Sequence, residues 1–336
     1  VSLNTPPVVF GDTQYAFATG VVRGKWVKRP GRAEFLRLID AETGDIGKIL
    51  SEWGFHSADE NPEKAIADEW LATIGLIENL SQHPELTRLL RLFTDFTNAS
   101  AAVKAEIFEY DYLPLHLSGG FASAEDLMKA ASGEPNLGSV PVEVAESIKV
   151  ARETYSESQL PIVVDLASDH YFGKFYVSQL TESGREFLDE YVRRWADSKN
   201  LTAYLRMRIA EMPMEYFDRF FIEGGYLERN RYERFETMEL DGIPARLVFS
   251  YYGKPLADAV SKLVHDDDFE PLAKFFHYSL EDYLRLNIYI SFGLEVLLAY
   301  AFLVWRELRA IGAVMRMKKA KIDRDRIIER VRYGDL

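Results

Sequence analysis

The chain has 336 residues, 47% hydrophobic and 13% aromatic, which is enough to fill packed cores and excludes a disordered polypeptide. A net charge of −13 argues against a nucleic-acid partner. With no cysteine, neither a disulfide nor a thiolate metal site is available, which fits a reducing compartment. The charge is uneven: from Arg306 onward ten Lys or Arg face five Asp or Glu, so that end carries +5 and the rest −18. An acidic body with a basic end suggests partners of opposite sign at different ends.

In chain order, residues 1–14 read as a Pro-containing lead-in without periodicity and without the basic-then-apolar pattern of a secretory signal. Asp12 or Thr13 can cap a helix that runs to Trp26, where Pro30-Gly31 breaks the chain. Short amphipathic helices follow at Ala33 to Asp40 and Ile46 to Trp53, then a long hairpin, Glu63 to Asn79 and Pro84 to Phe108. Gly119-Gly120-Phe121 precedes helices at Ser123 to Ala131 and Val142 to Ser158. Pro161-Ile162-Val163-Val164 is compatible with a short buried strand or with a helix, because four residues do not decide. A second hairpin spans Leu166 to Thr181 and Arg185 to Ala210, followed by Gly224-Gly225-Tyr226, a helix at Glu228 to Phe235, a helix at Leu256 to Leu263 and a last hairpin from Glu281 to Arg332. The double glycines read as joints between units, since adjacent glycines permit a turn with positive φ.

One frame recurs three times. Phe93-x-Asp95-x-x-Asn98 with Lys104, Trp195-x-Asp197-x-x-Asn200 with Arg206, and Trp305-x-Glu307-x-x-Ala310 with Arg316 share their spacing, 102 and 110 residues apart. An acid and an aromatic two residues apart precede each copy: Asp68 and Trp70, Asp169 and Tyr171, Glu281 and Tyr283. A helical unit used three times follows, giving an all-α chain with subdomains at 15–118, 119–223 and 224–336. Phe93, Trp195 and Trp305 are expected in the core, and Asp95, Asp197 and Glu307 are expected to pair with helical neighbours or a buried base. Ile288 to Trp305 is long enough to test as a membrane span, but Glu295 in its middle favours a helix surrounded by other helices.

Motifs for chemistry are few. The sequence holds no phosphate loop, dinucleotide fingerprint or nucleophile elbow, and His56, His83, His116, His170, His265 and His277 show no zinc spacing. Asp266-Asp267-x-x-Glu270 looks like the Mg²⁺-binding cluster of all-helical terpenoid synthases, and Asn287-x-x-x-Ser291-x-x-x-Glu295 like their second metal motif. An all-helical Mg²⁺-dependent enzyme is therefore the alternative function. The short separation of the two motifs favours an exposed acidic loop instead.

The opening Tyr15-Ala-Phe-Ala-Thr-Gly-Val-Val-Arg23, the Asp95-x-x-Asn98 and Asp197-x-x-Asn200 helices, the double glycines and the closing Trp305-x-Glu307-x-x-Ala310 before a basic tail resemble a known family. The family is that of the C subunits of prokaryotic V/A-type rotary ATPases, themselves similar to the d subunits of the eukaryotic vacuolar enzyme. Ala310 departs from the asparagine of the other copies, and 133–141 and 241–254 match nothing in the pattern. The resemblance implies a funnel of three helical subdomains about a pseudo-threefold axis, without catalysis, cofactor or small-molecule substrate. It implies central-stalk proteins and the membrane proteolipid ring as partners, at the cytoplasmic face. Lys104, Arg206 and Arg316, at equivalent places in the repeat, are the candidate partner-binding residues.

Overall fold

The computed structural model describes residues 13–135, 137–183 and 186–331. Sixteen α-helices and no strand occur among the described residues, so the fold is all-α. The first five are α1 (Ala16–Trp26), α2 (Arg32–Asp40), α3 (Ile46–Glu52), α4 (Pro62–Leu80) and α5 (Pro84–Phe108). Next come α6 (Ala124–Ser132), α7 (Val142–Ser158), α8 (Ile162–Ser183), α9 (Glu186–Ile209), α10 (Glu215–Arg219) and α11 (Arg229–Glu236). The chain ends with α12 (Ile243–Leu247), α13 (Gly253–Asp266), α14 (Glu270–Asn287), α15 (Leu294–Lys319) and α16 (Arg324–Arg330). Up to residue 12, the expected lead-in lies outside the described residues, as do Arg185 and Arg332 at the expected ends of two hairpins.

Helix ends follow local chemistry. The Asn61 side chain accepts the Lys64 N–H at 2.9 Å with Pro62 in the first turn, Ser123 accepts that of Asp126 at 3.1 Å, and Asp323 accepts that of Arg326 at 3.0 Å. Gly133, at φ +91°, ends α6 in the left-handed conformation that a Cβ disfavours.

Residues 161–164 are settled as helix: α8 begins at Ile162, and Val163 and Val164 are fully buried. Burial here overrides the β preference of branched side chains. The helix expected at 256–263 extends to Gly253–Asp266, and the last hairpin starts at Glu270 rather than Glu281. Five-residue α10 and α12 are too short to show a period. The apolar run from Ile288 is broken by a turn at 288–293, and no helix among the described residues is long and apolar enough to cross a membrane.

Contacts divide the chain into two compact units. The first is Arg88–Leu280, where α7 packs on α8, α8 on α9 and α12 on α13. Part of its core is an aromatic cluster of Tyr204, Phe217, Phe221, Tyr232 and Phe235, with centroids 5.2 to 6.0 Å apart. The second joins 13–87 to 281–331. Its central element is α15, packed on α1 and α4 and buried without interruption from Leu294 to Val304. The continuous apolar run thus belongs to a surrounded helix.

Candidate functional site

The first two copies of the repeat build the same latch. In the first, Asp95 on α5 accepts the backbone N–H groups of Phe121 at 2.9 Å and Ala122 at 3.0 Å. Three residues on, Asn98 pairs twice with Leu117, donating from Nδ2 to its carbonyl and accepting its N–H at Oδ1, both at 2.8 Å. In the second, Asp197 on α9 accepts the N–H groups of Tyr226 and Leu227 at 2.9 Å, and Asn200 pairs with the carbonyl and N–H of Ile222 at 2.8 and 3.0 Å. One helical face thus grips the loop holding each double glycine. Arginine four residues before the acid completes the grip. Arg91 donates to the Gly119 carbonyl and lies over the Phe121 ring, and Arg193 does the same to Gly224 and Tyr226.

The glycines are set by that approach. Gly119 and Gly224 have φ of +106° and +93°, and a Cβ on Gly120 or Gly225 would collide with the Asp95 or Asp197 carboxylate. Both acids are fully buried, and burial pushes both carboxyls up despite the donors around them, Asp197 to about 6. The Tyr252 hydroxyl donates to Asp197 as well, at 2.7 Å.

The third copy, in the second unit, does something different. Glu307, 1% exposed, pairs with Arg29 at 2.5 Å, and Arg29 also pairs with Glu69. Burial opposes the Arg29 charge, but Glu307 and Glu69 outweigh it and raise its pKa. The gripped residue directly precedes Pro30-Gly31 and α2, so the N-terminal segment supplies what a double-glycine loop supplies in the other copies. Leu303 stands where Arg91 and Arg193 stand, and Ala310 has no amide to offer.

Of the repeat's ring residues, expected in the core, Trp195 is buried, whereas Phe93 and Trp305 are half-buried. Trp195 is 7% exposed and meets Phe172 edge to face, Phe93 meets the same Phe172, and Trp305 lies 4.8 Å from Trp70. The preceding acid is not equivalent in its surroundings: Asp68 is exposed, Asp169 pairs with Lys199 at 2.9 Å, and buried Glu281 pairs with Arg285 at 2.6 Å.

Of the candidate partner-binding residues, two come to one place in the first unit. Lys104 Nζ holds both oxygens of Asp165 at 2.6 Å, and Asp165 and Arg206 line a cavity of about 460 Å³ between α5, α8 and α9. Its floor is Phe93, Phe96, Phe172 and Trp195. The Arg206 guanidinium is exposed and lies 5.3 Å from the Phe269 ring. Arg316, on α15 of the second unit, is exposed.

The acidic cluster does not gather. Asp266 ends α13, Asp267 follows in a left-handed turn at φ +52°, and both are exposed. Asn287 is buried and donates to the Tyr283 carbonyl at 2.7 Å, while Glu295 is buried within α15. Among the described residues no three His, Asp or Glu side chains are placed to hold a metal ion. His170, inside the repeat, points a ring nitrogen at the Phe221 carbonyl at 3.0 Å, a structural contact.

What sequence reasoning missed is that the acid-amide helix and the double-glycine loop are one device. The arginine four residues before the acid, present in two copies and replaced by leucine in the third, was the available signal. No curated protein matches the chain. The family model described as ATP synthase (C/AC39) subunit matches residues 18–330, a span that contains every copy of the repeat and its latches, and the chain belongs to that family.

Proposed function

We propose that the chain is a non-catalytic rotor component of a V/A-type proton- or sodium-translocating ATPase, coupling the central stalk to the membrane proteolipid ring at its cytoplasmic face. In this reading three similar helical subdomains, at 15–118, 119–223 and 224–336, surround a pseudo-threefold axis and receive the stalk. Lys104, Arg206 and Arg316 contact partners, and no cofactor or small-molecule substrate takes part. Family membership supports the setting. The observation that carries the mechanical role is the latch: double-glycine joints, the places where a helical chain would flex, are pinned through the acid, amide and arginine of the preceding helix. An adaptor transmits torque only if its joints do not yield, and a close-packed interior with fixed joints meets that need.

The test is a pull-down of the tagged chain from detergent-solubilised source membranes with stepped salt. Recovery of a small apolar ring protein together with a helical stalk protein is expected, and the salt step at which each is lost identifies the electrostatic contact. Recovery of neither, from membranes shown to hold an assembled rotary ATPase, would overturn the proposal.

A further inference from the structure

In the second unit, one surface combines exposed apolar side chains with cations that have no acidic partner. On α1 and the residue after it, Phe17 and Val27 are 77% and 81% exposed, although the opposite face of the same helix is buried through Ala18 and Val22. Between them Gly20 and Gly24 add no side chain, and a Cβ on either would meet open space. Arg23 ties a second segment to this helix by donating to the carbonyls of Ile288 (3.1 Å) and Ile290. The turn thus held against α1 presents Tyr289, 73% exposed, and Phe292. Lys25 and Lys28 on α1 and its C-terminal flank are exposed, and neither has an ion pair among the described residues. A scattered exposed apolar residue is ordinary, but several gathered on one surface beside free cations mark an interaction site.

The occupant follows from shape and charge. The apolar groups project from a helix and a turn instead of lining a groove, so they suit a soft surface that they can enter. Aromatic and aliphatic side chains flanked by lysines are the composition of helices that lie in the headgroup region of a bilayer. The protein is otherwise acidic, at −13 overall, and would be repelled by an anionic membrane unless a local cationic face were turned to it. We infer that the outer face of α1 with the 288–292 turn docks on an anionic phospholipid surface, Phe17, Val27 and Tyr289 entering the headgroup layer and Lys25 and Lys28 meeting lipid phosphates. The inference deepens the proposed membrane-peripheral role and rests on that reading for its biological setting.

The experiment is co-sedimentation of the full chain with vesicles of phosphatidylcholine alone and of phosphatidylcholine mixed with phosphatidylserine. Retention on the anionic vesicles is expected, falling about fivefold for each of Lys25→Gln and Lys28→Gln, and falling with added salt. The double variant Phe17→Ser/Tyr289→Ser is expected to lose retention while keeping the wild-type helical circular dichroism, since both side chains are exposed. No retention on anionic vesicles, equal retention on neutral ones, or wild-type retention by the lysine and aromatic double variants would overturn the inference. The membrane pull-down separates this from the rotor reading. Ring protein recovered without vesicle binding sinks only the lipid surface, whereas vesicle binding with neither ring nor stalk protein recovered upholds it and sinks the rotor.

Discussion

Asp197 accepts the backbone N–H of Tyr226 at 2.9 Å, and one repeat earlier Asp95 accepts that of Phe121 at the same distance. The two acids sit on different helices and grip different loops, yet the donors, the neighbouring amide pairing and the arginine over the aromatic ring coincide. Bonds from N–H groups to an ionised, buried acceptor are stronger than neutral ones. The double glycine therefore gives the chain its tight turn without giving it freedom.

Removing the acceptor should be costly. Asp197→Ala leaves the N–H groups of Tyr226 and Leu227 and the Tyr252 hydroxyl without their acceptor, and orphaned buried polar groups cost about 1–3 kcal/mol each. A total loss of about 4 kcal/mol is expected in urea denaturation, with amide exchange at Tyr226 and Leu227 accelerated ahead of the rest of the unit. A loss under about 1 kcal/mol with unchanged exchange would mean that the latch does not hold the loop.

Gly225 tests the same contact from the other side. A Cβ there meets the Asp197 carboxylate, so Gly225→Ala should destabilise by about 1–3 kcal/mol through forced displacement. With the carboxylate removed the methyl has room, so Gly225→Ala combined with Asp197→Ala should cost less than the two separately. Simple additivity in that double-mutant cycle would rule out the close approach as the reason for glycine.

The all-α class, most helix positions and the buried Trp195 of the repeat were legible because apolar periodicity and caps are local signals. Trp195 sits in the core where that periodicity puts it, whereas Phe93 and Trp305 stay half-buried against Phe172 and Trp70. Residues 161–164 were ambiguous because burial between helices, absent from a four-residue window, decides between strand and helix. The latch was half legible: both the Asp-x-x-Asn spacing and the double glycines stand out, but their meeting is a tertiary fact across 26 residues of chain between Asp95 and Phe121. The Arg29 to Glu307 pairing, 278 residues apart, had no local trace at all.

The Asp197 carboxyl should make stability depend on pH in a defined direction. Burial lifts it from 3.8 to about 6, against the N–H groups and the hydroxyl that favour ionisation. The native state thus holds this proton more tightly than the unfolded chain, and the linked stability is present below about pH 4 and lost as pH rises through about 6. The loss for such a shift is about 3 kcal/mol. Urea denaturation of wild type and Asp197→Asn across this window should show the wild-type advantage shrinking as pH rises; a difference that stays constant or grows contradicts the raised carboxyl.

Closure of the second unit should depend on the buried ion pair. Glu307→Ala leaves Arg29 with Glu69 as its acidic partner, and breaking one side of a buried pair typically costs about 3–5 kcal/mol. Replacing both partners, as Arg29→Met with Glu307→Leu, removes the charge that would be stranded and should recover part of that loss. Thermal denaturation of the single and double variants decides: a double variant no more stable than Glu307→Ala would show that packing, and not the stranded guanidinium, sets the cost.

The partner-binding residues can be judged by assembly rather than stability. Lys104 pairs with half-exposed Asp165, and Arg206 rests on Phe269 at the rim of the same cavity, so neutralising either should change stability by no more than about 1 kcal/mol. If Lys104, Arg206 and Arg316 face partners, the Gln variants should lower recovery of the stalk or ring protein, most at low salt, because charges at the rim of an interface act through steering and screening. The triple variant should lose more than any single one. Unchanged recovery in all three singles and in the triple variant would confine these cations to tying hairpins together. The Asp165 partner offers the internal control: Asp165→Asn releases Lys104 without removing its charge, so it should leave partner recovery intact if Lys104 acts on a partner and reduce it if the Lys104 to Asp165 pair only shapes the cavity.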